Sequence, residues 1–246
     1  IWALTASELC KKTKNNELSA TEITVACLEQ TKKVNPQLNA IVDDMSDEAI
    51  KRAESLDSEV AAGKQKGPLF GVPVTVKINV DQKGYATSNG VTALKNLIAK
   101  TNAPIVDHLM DAGAVFVGRT NTPEFSFRAD TENPLYGRTN NPWGKHLSPG
   151  GSSGGASSAV MAGMCTLAHG NDLGGSLRFP SVATGSVTLK PGLGRVPAWN
   201  SSQTSERGIL AQSMSVQGLI TRSAYDLQLA MPEIIQSDLR DPFHVP

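Results

Sequence analysis

The chain has 246 residues, in which 23 lysine and arginine residues balance 23 aspartate and glutamate residues. A chain of this length can bury a sizeable core, as one large α/β domain or as two smaller domains. A net charge of zero argues against direct nucleic-acid binding, which needs clustered cations to displace counterions. The three cysteines are odd in number and widely spaced, which does not indicate a disulfide framework, and no apolar run approaches the ~18 residues of a membrane span. We therefore expect a cytoplasmic globular protein.

The N-terminal region, residues 1–65, is predicted to be helical. Residues 5–8 and 19–22 are capping-box patterns, in which a hydroxyl residue stands three positions before a glutamate. After the second pattern, apolar residues recur at helical spacing until Pro36, which is expected to end that helix. A third helix is predicted over residues 46–62, with a glycine directly after it as C-cap. We expect this region to belong to the same domain as the rest of the chain.

A change in pattern after residue 66 predicts an α/β core. Residues 72–80 alternate strictly between apolar and other positions, which predicts a strand with one polar face that includes Lys77. A helix is predicted over 104–110, and a short buried strand follows at 114–117. Strand, helix and strand in this order are typical of an α/β sheet.

The second half of the chain contains a long loop and two glycine turns. Residues 131–150 are rich in proline and are predicted to form an irregular loop, which inside a compact domain is usually functional. The glycine turn at 150–155 precedes a closely packed helix of small residues, and a second Gly-Gly-Ser turn at 174–176 opens another short helix. A last helix is predicted over 224–235.

The two glycine turns place two serines, Ser152 and Ser176, 24 residues apart. Glycine leaves backbone N–H groups open towards a ligand, and a helix N-terminus favours negative charge, so the turn at Ser176 has the features of an oxyanion hole. A serine nucleophile also needs a base, and none of the four histidines stands in a triad context. A desolvated neutral lysine is an alternative base, and Lys77 lies on a strand expected to be largely buried.

Each of these features also has an ordinary structural interpretation. A lysine on a polar strand face is more often solvated than catalytic, and Gly-Ser turns are commonly only turns. Residues 151–155 match the nucleophile elbow G-x-S-x-G with Ser153 at its centre, but a proline-rich loop precedes them where the elbow requires a strand. No phosphate-loop pattern and no Cys/His cluster with zinc spacing is present. We interpret His146 and His169 as structural.

The combination of these motifs closely resembles the amidase signature family. The resemblance rests on GVPVTVK at 71–77, GGSSGG at 150–155 and NDLGGSLRFPS at 171–181. It extends from about residue 5 to beyond residue 220, and further stretches agree with the family at 118–125, 133–137, 141–143 and 189–191. Two serine motifs and a lysine at this spacing are highly specific.

The resemblance implies a fold and a division of the chain. The fold would be α/β, with a central mixed β-sheet covered by helices on both faces. Residues 1–65 would be its N-terminal helical region, and residues 66–246 would hold the amidase signature core. Family members are much longer, so we expect this chain to be the N-terminal part of the fold, without its C-terminal half.

The resemblance also implies roles for individual residues. Ser176 matches the nucleophile, Ser152 matches a bridging serine that follows a cis peptide bond, and Lys77 matches the base that acts through Ser152. Ser153 would form hydrogen bonds within the site, and Ser126 would lie at a substrate-lining position. The backbone N–H groups expected to hold the oxyanion are those of Leu173, Gly174, Gly175 and Ser176. No metal or organic cofactor is implied.

The function implied is hydrolysis of a small-molecule carboxamide to an acid and ammonia or an amine, through a seryl acyl-enzyme. One alternative is the glutaminase subunit of a tRNA-dependent amidotransferase, although RTNTPEFSFR at 119–128 looks more like the stand-alone amidases. A second alternative is a truncated, non-catalytic fragment that serves as an assembly module. The resemblance also allows a homodimer.

Overall fold

The computed structural model describes residues 1–203 and 208–245. The α-helices are α1 (Ala6–Lys14), α2 (Ala20–Leu38), α3 (Ser46–Ala61), α4 (Pro104–Asp111), α5 (Gly154–Met161), α6 (Arg178–Thr184), α7 (Ile209–Met214) and α8 (Ala224–Ile234). The strands are β1 (Ile41–Asp44), β2 (Pro73–Lys77), β3 (Val115–Thr120), β4 (Glu132–Asn133), β5 (Gly137–Arg138), β6 (Leu167–Asp172), β7 (Val187–Thr188) and β8 (Val216–Thr221). None of the described helices combines the length and the hydropathy needed to cross a membrane.

Six strands form one mixed sheet in the order β1-β3-β2-β6-β8-β7. The central strand β2 is parallel to both β3 and β6, whereas β1, β8 and β7 each run antiparallel to a neighbour. Helix α4 lies between β2 and β3 in the chain, so the predicted strand-helix-strand unit is confirmed. Because β2 and β6 are parallel neighbours, their C-terminal ends lie side by side.

Helices cover both faces of this sheet, as the resemblance implies. Buried residues of α1, α4 and α8 pack against one face, and buried residues of α2, α3 and α5 pack against the other. In β2, Val74 and Val76 belong to the first of these cores, so the predicted alternation is correct. The predicted polar face is not open to solvent, however, because all five residues of β2 are buried. Lys77 lies inside the protein as a result.

Most helix predictions are confirmed, and one boundary is wrong. Thr5 and Ser19 both form complete capping boxes with the glutamates that follow them. Helix α2 does not stop at Pro36 but continues to Leu38 with the proline inside it. Proline removes only one N–H donor, and the helix ends instead where Asn39 adopts a left-handed φ of 49°.

Strand β1 was not predicted, because it lies within the region expected to be helical. Its residues Ile41–Asp44 pair antiparallel with β3, and Asp43 forms a 3.0 Å ion pair with the buried Arg119 of that strand. The first 65 residues are therefore not purely helical. In the long loop predicted at 131–150, β4 and β5 form a short two-stranded ladder. The division of the chain at residue 65 stays a prediction.

Glycine at position 155 is required by close packing at the start of α5. A Cβ on Gly155 would lie 2.5 Å from the backbone nitrogen of Asn121 and 2.9 Å from the carbonyl oxygen of Ala40. We expect Gly155→Ala to lower the free energy of unfolding by about 1–3 kcal/mol, since backbone atoms cannot move aside as side chains do. Urea denaturation of the full-length protein measures this change.

The matched control for this prediction is Gly208→Ala, because no atom of residues 1–203 and 208–245 lies within 4 Å of a Cβ at Gly208. This glycine has a φ of −58°, which alanine adopts without strain. We expect the control to unfold at the wild-type urea concentration. Equal stability of the two variants would contradict the claim that close packing requires glycine at position 155.

Candidate active site

Lys77 is the last residue of β2, and its side chain is completely buried. Its Nζ atom lies 2.7 Å from Ser152 Oγ, 2.9 Å from Asn171 Oδ1 and 3.2 Å from Ser153 Oγ. Burial lowers the pKa of Lys77 from 10.5 to about 7, and the charge of Asp172 opposes this shift only in part. A substantial fraction of Lys77 is therefore neutral at neutral pH.

Ser152 lies in the glycine turn directly before α5 and is fully buried. The peptide bond between Gly151 and Ser152 is cis, as the resemblance implies. A Cβ on Gly151 would lie 2.3 Å from the carbonyl oxygen of Arg128, so the turn has no room for a side chain there. The backbone N–H of Gly154 donates to Thr131 Oγ1 at 3.1 Å. The turn is thus tied to the preceding loop.

The second glycine turn follows β6 and is organised by Asp172. The buried carboxylate accepts hydrogen bonds from the backbone N–H of Gly175 at 2.8 Å and of Leu177 at 3.1 Å. Two guanidinium nitrogens of Arg178 donate to the same carboxylate, at 3.0 and 2.9 Å. Burial alone would raise the pKa of Asp172, but these hydrogen bonds hold it below its ordinary value. The charged carboxylate therefore fixes the turn that carries Ser176.

Ser176 is partly exposed and lines the same pocket as Ser152. Its hydroxyl has no hydrogen-bond partner within residues 1–203 and 208–245, and so it is not bonded to Ser152. The structure thus joins Lys77 to Ser152 directly and places Ser176 at the shared pocket. Hydrogen bonds between catalytic groups are often long until a substrate is bound.

Ser126 also lines this pocket, in a stretch where it and Phe125 have positive φ angles of 61° and 51°. Its Oγ accepts a hydrogen bond from Asn79 Nδ2 at 3.1 Å and donates to Asn89 Oδ1 at 3.2 Å. A third contact joins it to Thr122 Oγ1 at 3.1 Å. The Ser126 hydroxyl therefore has several protein partners even without a substrate.

Two asparagines of the site were not among the predicted residues. Asn171 binds Lys77 Nζ through its Oδ1 and donates from Nδ2 to Asn79 Oδ1 at 3.1 Å. Asn79 Nδ2 in turn donates to Asn171 Oδ1 at 3.2 Å. Sequence signals for both exist, since Asn79 follows Lys77 at the period of a strand and Asn171 directly precedes Asp172.

The pocket at these residues has a volume of about 1090 Å³. Its lining combines polar residues, among them Ser152, Asn171 and Ser176, with large aromatic ones. The aromatic residues at the pocket are Phe125, Phe127, Phe179 and Trp199. In the part of the chain that the structure describes, no group of three or more His, Cys, Asp or Glu residues could hold a metal ion. The pocket therefore presents serine hydroxyls beside aromatic side chains.

The sequence profile of the amidase family matches residues 22–246. The chain belongs to the amidase family. The match includes the strand that ends at Lys77 and both glycine turns, with Ser152 and Ser176. The motifs that carry the resemblance are therefore part of the family match.

Similar proteins include several amidases. The chain is 49% identical, over its whole length, to the indoleacetamide hydrolase of Bradyrhizobium diazoefficiens, of which it covers 47%. It is 40% identical to the acylamidase of Rhodococcus erythropolis, with 98% of this chain and 50% of that one aligned. A bacterial aryl acylamidase of the amidase signature family has a similar structure, with a TM-score of 0.90 and 31% identity over 98% of this chain and 49% of that one. The chain thus spans about half the length of these relatives.

Another type of relative is named as a subunit of an amidotransferase. The chain is 37% identical to a glutamyl-tRNA(Gln) amidotransferase component from Carboxydothermus hydrogenoformans, with 98% of this chain and 48% of that one aligned. The similar proteins therefore include both hydrolases and an amidotransferase component.

Proposed function

We propose that the protein hydrolyses a carboxamide to a carboxylic acid and ammonia or an amine, through an acyl-enzyme on Ser176. The observation that carries this proposal is the 2.7 Å contact between the buried Lys77 Nζ and Ser152 Oγ, at a pocket that Ser176 also lines. The lowered pKa of Lys77 supports its role as a base. Membership of the amidase family supports the reaction class.

The neighbours of Lys77 decide the direction in which the proton moves. A neutral amine has two N–H donors and one lone pair. Asn171 Oδ1 can only accept, so it takes one N–H at 2.9 Å. Ser153 Oγ takes the other at 3.2 Å, because its own proton is directed to the carbonyl oxygen of Asn171. The lone pair is left for the O–H of Ser152, which can then accept the proton of Ser176.

The chemical steps follow from this relay. As Ser176 Oγ attacks the carbonyl carbon, its proton passes to Ser152, and the proton of Ser152 passes to Lys77. The same route returns a proton to the leaving nitrogen when the C–N bond breaks, which leaves an ester on Ser176. Water then attacks this ester, its proton returns to Ser176 Oγ, and the carboxylic acid is released.

The turn after β6 would stabilise the oxyanion. We assign this role to the backbone N–H groups of Leu173, Gly174 and Ser176, because these residues line the pocket together with Ser152. The N–H of Gly175 already donates to Asp172 at 2.8 Å. Gly175 also has a φ of 123°, in the region that favours glycine, so its part in the proposal is to shape the turn.

For the substrate we propose a carboxamide with an aryl group. Phe125 and Phe127 are 55% and 89% exposed at the pocket, and such aromatic surface binds planar apolar groups well. The similar proteins include one named indoleacetamide hydrolase and one named aryl acylamidase. Both names describe amides that carry an aromatic ring.

A glutaminase subunit of a tRNA-dependent amidotransferase is the second candidate function, since one relative at 37% identity is a component of such an enzyme. This alternative predicts glutaminase activity that partner proteins and ATP stimulate. A stand-alone amidase would instead hydrolyse aryl carboxamides without them. A non-catalytic assembly module is disfavoured by the contact between Lys77 and Ser152, because such a module has no need for a buried neutral lysine.

The pH dependence of hydrolysis tests the proposed base. We expect kcat/KM of the full-length protein to rise with pH through an apparent pKa of about 7, because protonated Lys77 has no lone pair for Ser152. Steady-state rates with phenylacetamide between about pH 5.5 and 9 measure the profile. Asn171→Asp places a negative charge beside Lys77 and should move this limb to higher pH. A flat wild-type profile would contradict the assignment of Lys77.

The remaining proposals concern location and partners. Cys10, Cys27 and Cys165 are free thiols, which is consistent with a reducing compartment, and we propose the cytoplasm. A homodimer and the lack of direct contact with nucleic acid stay predictions.

A further inference from the structure

A short hydrogen-bonded chain leads from the backbone of Lys77 to the pocket. The N–H of Lys77 donates to His169 Nδ1 at 3.4 Å, and His169 Nε2 lies 2.8 Å from Gln217 Oε1. His169 is fully buried, whereas Gln217 is 9% exposed and lines the pocket. Neither side chain takes part in the proposed proton relay, so their arrangement has a different explanation.

The first hydrogen bond determines which way the amide of Gln217 faces. Because Nδ1 of His169 accepts, the proton of the neutral imidazole is on Nε2. Nε2 must then donate, and only the carbonyl oxygen of Gln217 can accept from it. Burial lowers the pKa of His169 to about 4, which keeps the ring neutral at ordinary pH. The amide nitrogen of Gln217 is therefore directed away from His169.

Strand pairing places this amide beside the proposed catalytic groups. Gln217 lies directly opposite Asn171 in the antiparallel β6–β8 ladder, so the two side chains share one face of the sheet. Asn171 contacts Lys77 Nζ, and Ser176 lines the pocket together with Gln217. In residues 1–203 and 208–245, Gln217 Nε2 has no hydrogen-bond partner. A fixed pair of N–H donors is thus available to a ligand.

The geometry points to Gln217 as a specificity-determining residue, which donates a hydrogen bond from Nε2 to an acceptor atom of the substrate outside the scissile amide. His169 is the residue that positions it. This inference rests on the proposed amidase function, and it narrows the substrate to aryl carboxamides that carry an oxygen or a pyridine-type nitrogen on the ring. A glutamine that served only as a partner for His169 would produce no such preference.

Four substrates of equal shape test this inference in the full-length protein. Phenylacetamide and the three pyridylacetamide isomers differ only by exchange of one ring C–H for an acceptor nitrogen. We expect kcat/KM for the best pyridyl isomer to exceed that for phenylacetamide roughly 3- to 10-fold, the effect of one hydrogen bond to a neutral group. In Gln217→Leu and in His169→Leu this ratio should fall to about one, since each variant loses the oriented donor.

The control variant is Gln30→Leu, which removes a partly buried glutamine whose Nε2 donates to the carbonyl oxygen of Ala162 outside the pocket. It should keep the wild-type ratio. A fluorophosphonate reacts with activated serines and carries no aromatic ring for Gln217 to recognise. Its reaction therefore reports separately on the reactivity of Ser176. Both variants are included because His169→Leu still gives this readout if Gln217→Leu does not fold.

The outcomes separate the inference from the proposed function. Loss of the preference in either variant, with wild-type reactivity towards the fluorophosphonate, supports the inference. A wild-type ratio in Gln217→Leu overturns it, and so does a wild-type protein that prefers none of the pyridyl isomers. A wild-type protein that neither reacts with the fluorophosphonate nor hydrolyses phenylacetamide overturns the proposed amidase function instead.

Discussion

We expect Ser176→Ala to lower kcat for an aryl carboxamide by a factor on the order of 10⁶ in the full-length protein. Alanine has no atom that attacks the carbonyl carbon, and no other hydroxyl at the end of the β6 turn takes its place. Because Ser176 is partly exposed and its hydroxyl has no partner within the described residues, the variant should fold normally. Release of ammonia, measured over hours at high enzyme concentration, gives the rate.

Ser157→Ala is the matched control for this prediction. Ser157 is a buried serine of α5 whose Oγ donates to the carbonyl oxygen of Gly154 at 3.1 Å. It lies close to the first glycine turn but outside the proposed relay, so kcat should change less than about tenfold. If Ser176→Ala retained activity comparable to this control, the nucleophile would have to be another residue.

Lys77→Met is expected to lower kcat/KM about 10³-fold or more at neutral pH, and to remove the rise in activity around pH 7. Methionine has a similar length and no charge, so it fills the buried site without a lone pair for Ser152. Rates from about pH 6 to 9 distinguish loss of the base from a general loss of folded protein.

The control for Lys77→Met is Lys66→Met. Lys66 is remote in the sequence from both glycine turns, and its Nζ donates to Asn16 Oδ1. This variant should keep the wild-type pH profile. Persistence of the pH 7 limb in Lys77→Met would show that a group other than this lysine titrates in the mechanism.

The elements predicted well from the sequence are those stabilised by near neighbours in the chain. The capping boxes at Thr5 and Ser19 depend on a glutamate three residues away, and the alternation around β2 depends on its own residues. Strand β1 was missed because its four residues carry no alternation and are held by pairing with β3, far along the chain. The burial of Lys77 was expected only in part, because the helices that cover β2 come from distant segments.

The residues of the candidate site also differ in how well the sequence predicts them. Glycine turns and a strand pattern make Lys77, Ser152 and Ser176 candidates, and the resemblance to the amidase signature family implies their roles. Asn171 stands beside Asp172 in the motif at 171–181, but neither this position nor the pattern of β8 around Gln217 shows what the two side chains contact. Their roles depend on the β6–β8 register that sets them opposite each other, which tertiary packing determines.

The central claim is that Ser176 is the nucleophile and that Lys77 activates it through Ser152. The most direct measurement is peptide mass spectrometry of the full-length protein after reaction with a fluorophosphonate at about pH 8, where Lys77 is mainly neutral. We predict one adduct, on Ser176, which is absent in Ser176→Ala and forms far more slowly in Lys77→Met. An adduct on Ser152 or Ser153, or undiminished labelling of Ser176→Ala, would contradict the claim.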